Sequence, residues 1–244
     1  MFNVLFERGE DGRLYVDWLL SGLGWTLGLA VSGWIIAFAI GTLVGVGRTV
    51  ENRFISALSR LYVEIFRNIP VLVQMFLWYF VLPELLPTRV GDWIKTMPAP
   101  WGSFLPALLC LGLYTASRIA EQVRAGIEAL PRGQQEATAA LGLSSNQSYQ
   151  FVILPQAMRL IIPSLTSEVM AIYKNTSVAL TIGVLELTAQ ARQISEATFQ
   201  TFAAFASATV IYLGLALAAY RLMTYIDARI RIPGTETRGG GKTT

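Results

Sequence analysis

Residues 121–155 read EQVRAGIEALPRGQQEATAALGLSSNQSYQFVILP. The stretch carries charge and glutamine, yet strongly apolar segments flank it on both sides. Pro131 opens a helix, because the first helical position has no amide partner to lose. Gln134–Leu141 is built mostly of good helix formers, and Gly142 suits the left-handed residue that ends a helix. Ser144 followed by Gln147 reads as a capping box, so a second short helix is expected over about 145–153. Pro155 then marks a break before the next apolar segment. The pattern gives two short helices joined by a Gly-Leu-Ser turn, lying outside the hydrocarbon.

The surroundings set the class. The chain has 244 residues, 53% hydrophobic and 14% charged, where a soluble domain carries about 25% charge. Its charges are clustered and leave long uncharged runs, which predicts an all-α integral membrane protein. Five spans are expected, at about 20–47, 60–83, 102–122, 160–183 and 200–226, with a cytoplasmic two-helix loop over 123–159, all in one transmembrane unit covering 1–244. Gly41, Gly45 and Gly47 suit close contact between helices. Pro70, after Asn68 and Ile69, should bend or interrupt span two and free backbone groups there. Residues 83–101 hold Pro83, Pro87, Pro98 and Pro100 with Trp93 and Trp101, the composition of an external loop with aromatic anchors. Residues 184–199 read as amphipathic and loop-like, and residues 1–17 lack the basic start of a cleaved signal peptide.

Basic residues orient these spans. Arg48, Arg53, Arg60, Arg118, Arg124, Arg132, Arg159, Arg221, Arg229, Arg231, Arg238 and Lys242 fall on one side. Arg8, Arg13, Arg89, Lys95 and Arg192 fall on the other. Twelve against five places the 123–159 loop and the C-terminus in the cytoplasm and the N-terminus outside.

Several functions are excluded. The chain has no histidine and one cysteine, Cys110. Histidine-based acid–base chemistry and most transition-metal sites are therefore removed, and no cofactor or metal is expected. A net charge of +3 made of loop arginines is no sign of nucleic-acid binding. Gly239-Gly240-Gly241-Lys242-Thr243-Thr244 imitates a phosphate loop. However, Glu236 stands where the first glycine belongs, and no helix can follow.

Glu136-Ala137-Thr138, then three residues, Gly142, nine residues, and Val152-Ile153-Leu154-Pro155 resembles the EAA loop of ABC-importer permeases. Thr138 and Val152 depart mildly from that pattern. Tyr62 to Gln74 (YVEIFRNIPVLVQ) and Lys174-Asn175-Thr176-Ser177 resemble the polar-amino-acid (histidine/glutamate) branch of that family. Leu109 to Ala116 (LCLGLYTA), Glu121-Gln122-Val123-Arg124 and Leu82 to Pro87 (LPELLP) resemble one permease subunit of the glutamate/aspartate importer of Gram-negative bacteria.

The resemblance implies a non-catalytic translocation subunit in the bacterial inner membrane. Its implied partners are a cytoplasmic ABC ATPase dimer, a second permease and a periplasmic amino-acid-binding protein. It also implies that Glu136, Ala137, Ala140, Gly142, Leu154 and Pro155 form the ATPase-coupling surface. A helix of about ten residues, about 15 Å long, could transmit ATPase closure to the flanking spans. Charges within spans are costly and default to a functional reading. Arg67 and Lys174 are candidates to attract an anionic substrate beside Asn175, and Glu64 and Glu168 to neutralise them or hold an ammonium. Glu64 and Arg67 also stand at the i,i+3 spacing of a purely structural pair. An ion-coupled secondary transporter or channel would use similar broken, charged spans, but it has no use for the 136–155 pattern.

Overall fold

The computed structural model describes residues 2–230. The imitation phosphate loop and the basic tail residues Arg231, Arg238 and Lys242 lie outside them. The described chain is all helical, with one isolated bridge, Arg8 to Leu14, and no strand. Its helices are α1 (Tyr15–Gly47), α2 (Arg53–Asn68), α3 (Val71–Phe76), α4 (Leu82–Leu85), α5 (Thr88–Lys95), α6 (Trp101–Glu128), α7 (Arg132–Ala140), α8 (Ser145–Ser148), α9 (Leu154–Asn175), α10 (Leu187–Thr198) and α11 (Thr201–Ile230).

Among the described residues α1, α6 and α11 are long and apolar enough to cross a bilayer unaided. A fourth crossing is supplied if α2 and the Val71–Leu85 helix count as one, and these meet at a bend of 104°. The expected span at 160–183 is α9 followed by a 3-10 stretch, Thr176–Ile182. It is long enough, but too polar to be recognised by composition.

The core is the packing of α1 along α6. A methyl added at Gly41 would lie 2.8 Å from the Ala116 carbonyl oxygen, and one at Gly45 would lie 2.6 Å from Val123 Cβ. The two backbones are in contact there, which only glycine permits. One cluster joins Ala37, Ile119, Val123, Ile153, Ile161 and Met223 at the end nearer α7. Another joins Val4, Tyr15, Leu19, Leu187, Ile194 and Ala204, so the start of the chain packs on its last helices.

The bend at Pro70 has a local cause and a local remedy. Proline has no amide to give the Phe66 carbonyl. Gln74, buried at 3% exposure, reaches back so that its Nε2 donates to the carbonyls of Phe66 and Ile69, at 2.8 Å each.

Several expectations differ from the structure. Helix α2 starts at Arg53, before the expected 60. The loop at 83–101 contains α5. Residues 184–199 are mostly α10, whose N-cap is Glu186, accepting from the amides of Thr188 and Ala189 at 3.0 and 2.8 Å. Pro155 breaks nothing: residues 149–153 form a π turn, where the Leu154 amide donates to Tyr149, and the helix runs on into α9. The widened turn absorbs the carbonyl that proline cannot serve.

Candidate functional site

The EAA-like residues lie on and around α7, a nine-residue helix. Gly142 has φ +75°, the left-handed conformation expected of a glycine past a helix end. The Ser144 capping box forms: its hydroxyl accepts from the Gln147 amide at 3.4 Å, and the Gln147 side chain accepts from the Ser144 amide at 2.9 Å. Glu136, Ala137 and Ala140 face outward and are exposed, while Thr138 is buried. Leu154 and Pro155 begin α9, half-buried and exposed respectively. The result is a short helix with a small-residue face and one carboxylate. It projects from a loop that α6 and α9 hold at either end.

The charged candidates do not pair as their sequence spacing suggested. Among the described residues Glu64 and Arg67 form no ion pair. Arg67 instead lies 3.4 Å from the Glu121 carboxylate. Glu121 also binds Arg48, just past the end of α1, and Arg124, one turn along α6, whose Nε donates at 3.1 Å. Arg124 in turn pairs with Glu128. Three elements are thus tied to one carboxylate. Glu64 remains exposed, beside Arg53 and Arg60 along a shallow pocket.

Glu168 neutralises neither Arg67 nor Lys174. It is 4% exposed and accepts from Arg118 at both oxygens, Nε at 2.6 Å and Nη2 at 3.0 Å, and from Gln122 Nε2 at 2.9 Å. This is a bidentate fork, the stronger kind of charged hydrogen bond. The Arg118 side chain is still 41% exposed, so the pair presents guanidinium to solvent and keeps the carboxylate behind it.

Lys174 is exposed near the end of α9, about 30 Å along the helix from Leu154 at 1.5 Å per residue. Among the described residues no carboxylate pairs with it. Asn175 closes α9 half-buried, and the carbonyl of Lys174 accepts from Ser177 Oγ at 2.7 Å. Arg118, Gln122, Glu121 and Arg48 were not singled out from sequence. The signal was available for two of them. Arg118 and Gln122 stand one turn apart on α6, and a buried Glu168 must find partners of that kind.

The geometry has relatives. Residues 37–232 match the family described as binding-protein-dependent transport system inner membrane component. The chain is 44% identical to the glutamate/aspartate import permease protein GltJ of Escherichia coli K12, over 99% of this chain and 98% of the other. It is 36% identical to the nopaline transport system permease protein NocM of Agrobacterium fabrum, over 89% and 92%. Its fold superposes on a chain of a crystal structure of an amino acid ABC transporter with histidines at TM-score 0.75 and 28% identity, covering 88% of this chain and 95% of that one. A chain of the MetNI methionine ABC transporter shares the fold at TM-score 0.72 and 21% identity, over 88% and 97%. A match spanning most of the chain, near-complete alignment to a permease and an all-helical body with a projecting two-helix loop agree on one assignment: the chain belongs to the family of binding-protein-dependent transport system inner membrane components.

Proposed function

We propose that this chain is the translocation subunit of an ATP-driven importer of acidic amino acids, and that α7 passes closure of the ATPase to the helices around it. It is not an enzyme: ATP hydrolysis belongs to a separate subunit. The observation carrying the coupling role is α7 itself. It is exposed on the face bearing Glu136, Ala137 and Ala140, and it is anchored at both ends by helices of the bundle. The assembly comprises a second permease, similar or identical, two copies of a cytoplasmic ATPase and a periplasmic amino-acid-binding protein. The loop and the C-terminus face the cytoplasm and the N-terminus faces the periplasm, as the twelve-to-five distribution of basic residues supports. The whole chain acts as one permease unit in the membrane lipid.

Glutamate and aspartate are favoured by the 44% identity to a glutamate/aspartate permease and by two cations on the surface of the bundle. Arg118 is partly exposed over its buried partner, and Lys174 is exposed with no carboxylate beside it among the described residues. Such groups stabilise a passing anion, while Glu168 is occupied with Arg118. Arg67, Glu64 and Asn175 complete the proposed path. The test is uptake of labelled glutamate, aspartate, glutamine and arginine by vesicles holding the full assembly. ATP-dependent uptake of the two acidic amino acids supports the reading. Uptake driven by an ion gradient without ATP overturns it in favour of a secondary carrier.

A further inference from the structure

The loop carrying α7 and α8 is joined by the chain only to α6 and α9. The α1–α2 corner, residues 48–52, is remote in sequence, yet it lies against the same loop. Between them runs a groove of about 780 Å³, with Thr42, Val50 and Glu51 on one wall and Leu143, Ser145 and Asn146 on the other. A polar contact crosses it. The hydroxyl of Tyr149 donates to the Thr49 carbonyl oxygen at 3.0 Å and lies 3.2 Å from Thr49 Oγ1. The Thr49 hydroxyl is itself committed as a donor to the Val46 carbonyl at 2.8 Å, so it too meets Tyr149 as an acceptor. The Tyr149 ring packs in the same cluster as Val46 and Ile153. Tyr149 also opens the π turn, where its own carbonyl accepts from the Leu154 amide. Its position is therefore fixed by the start of α9.

We infer that Tyr149 is a positioning residue of the transport cycle: its hydroxyl makes the α1–α2 corner move with the coupling loop. The inference rests on the coupling role given to α7 above. The corner is worth moving because of its neighbour. Arg48 is bound to Glu121, and Glu121 also holds Arg67 at the last turn before the 104° bend. A displacement of the loop thus reaches the corner through one hydroxyl, and the corner is already tied to α6 and to the end of α2. Without the hydroxyl the loop would still pull α6 and α9, and the corner would follow only indirectly, through its ties to α6.

The experiment uses the full assembly in vesicles. Tyr149→Phe keeps the ring and removes only the donor. Normal accumulation, continuing ATP hydrolysis and uptake per ATP reduced about three- to tenfold are expected, the range that one hydrogen bond of this kind governs. A merely structural role would lower the amount of protein and leave that ratio unchanged. Spin labels at Glu51→Cys and Ser145→Cys, in a Cys110→Ala background, read the tie directly. Their separation should be the same in nucleotide-free and ATP-bound states, and should widen in one of them once Tyr149→Phe is added. A separation that changes between states with Tyr149 intact, or an unchanged uptake-to-ATP ratio in Tyr149→Phe, overturns the inference. Gly142→Pro separates the two levels. If it leaves coupled uptake intact, the loop's role falls and the tie falls with it. If it uncouples while Tyr149→Phe does not, only the tie falls.

Discussion

Glu168 shows what a carboxylate requires when a helix carries it into the bundle. At 4% exposure it cannot keep its charge on hydration, and Arg118 and Gln122 supply what water would. The two partners of the ion pair are not equivalent, because Arg118 reaches solvent and Glu168 does not. Arg118→Met should therefore be the costlier single change, about 3 kcal/mol or more, because it strands a buried charge. Glu168→Met should cost less, since a half-wet guanidinium can turn outward. The double Met variant should recover most of the loss in thermal unfolding of the purified protein. It should not recover uptake if Arg118 meets the substrate; full recovery of both would make the pair purely structural. Lys174 offers the contrasting case. Lys174→Met roughly keeps volume and removes a charge that has no carboxylate partner among the described residues, so we expect unchanged folding, persisting basal ATP hydrolysis and reduced glutamate uptake. Unchanged uptake at normal expression would remove Lys174 from the path. The sequence carried both ends of this argument unequally. Lys174 stood out within a Ser/Thr/Asn-rich run, whereas Arg118 was counted with the loop because the last turn of a span ending at 122 was expected to emerge there, while α6 runs on to Glu128. Spacing along one helix suggested Glu64 for Arg67. The actual partner, Glu121, is on another helix, and no local rule reaches it.

Breaks within elements were more legible than their repairs. Pro70 announced the bend at once, but only the structure assigns Gln74 to the Phe66 carbonyl that the proline leaves free and to the neighbouring Ile69 carbonyl. Gln74→Leu is nearly isosteric and removes both bonds. It should destabilise the protein by about 2 kcal/mol, two net hydrogen bonds at about 1 kcal/mol each. It should also loosen the bend, seen as faster amide exchange across residues 66–72. Unaltered exchange with unaltered stability would show that the bend is held by packing alone. Pro155 misled for the complementary reason. Proline halts a helix only when its ring and the missing amide find no room, and the π turn at 149–153 provides it. Helix α10 went unseen because its cap is a glutamate rather than Ser, Thr, Asp or Asn. Glu186 is fully buried, and it accepts from two helix amides and from Tyr212 at 2.6 Å. The turn at Gly142 and the cap at Ser144 were legible for the opposite reason. Both signals are local, and local hydrogen bonds satisfy them.

At the scale of the molecule, uncharged runs made the long helices α1, α6 and α11 readable, since nothing but a bilayer favours so many apolar side chains in succession. Helix α9 carries too many polar groups to be recognised by composition alone, although a span was expected at 160–183. The proposed orientation is open to a direct check. A cysteine placed at Ser145 should be unreactive to an impermeant label in intact right-side-out cells, and one placed at Arg89 should react. Both positions are exposed, and Cys110 is buried and should stay silent. Reaction at Ser145 from outside would invert the topology. One further consequence concerns time. Val4, Tyr15 and Leu19 complete their packing only against Leu187, Ile194 and Ala204. At about 5–20 residues per second of synthesis, the first helix waits roughly 10–35 s for these partners to leave the ribosome. Throughout that interval the Tyr15–Leu19 end of α1 has only lipid, or a cellular escort, to cover its inner side. A mutation that slows translation of the last third of the chain would thus be felt first by its opening residues.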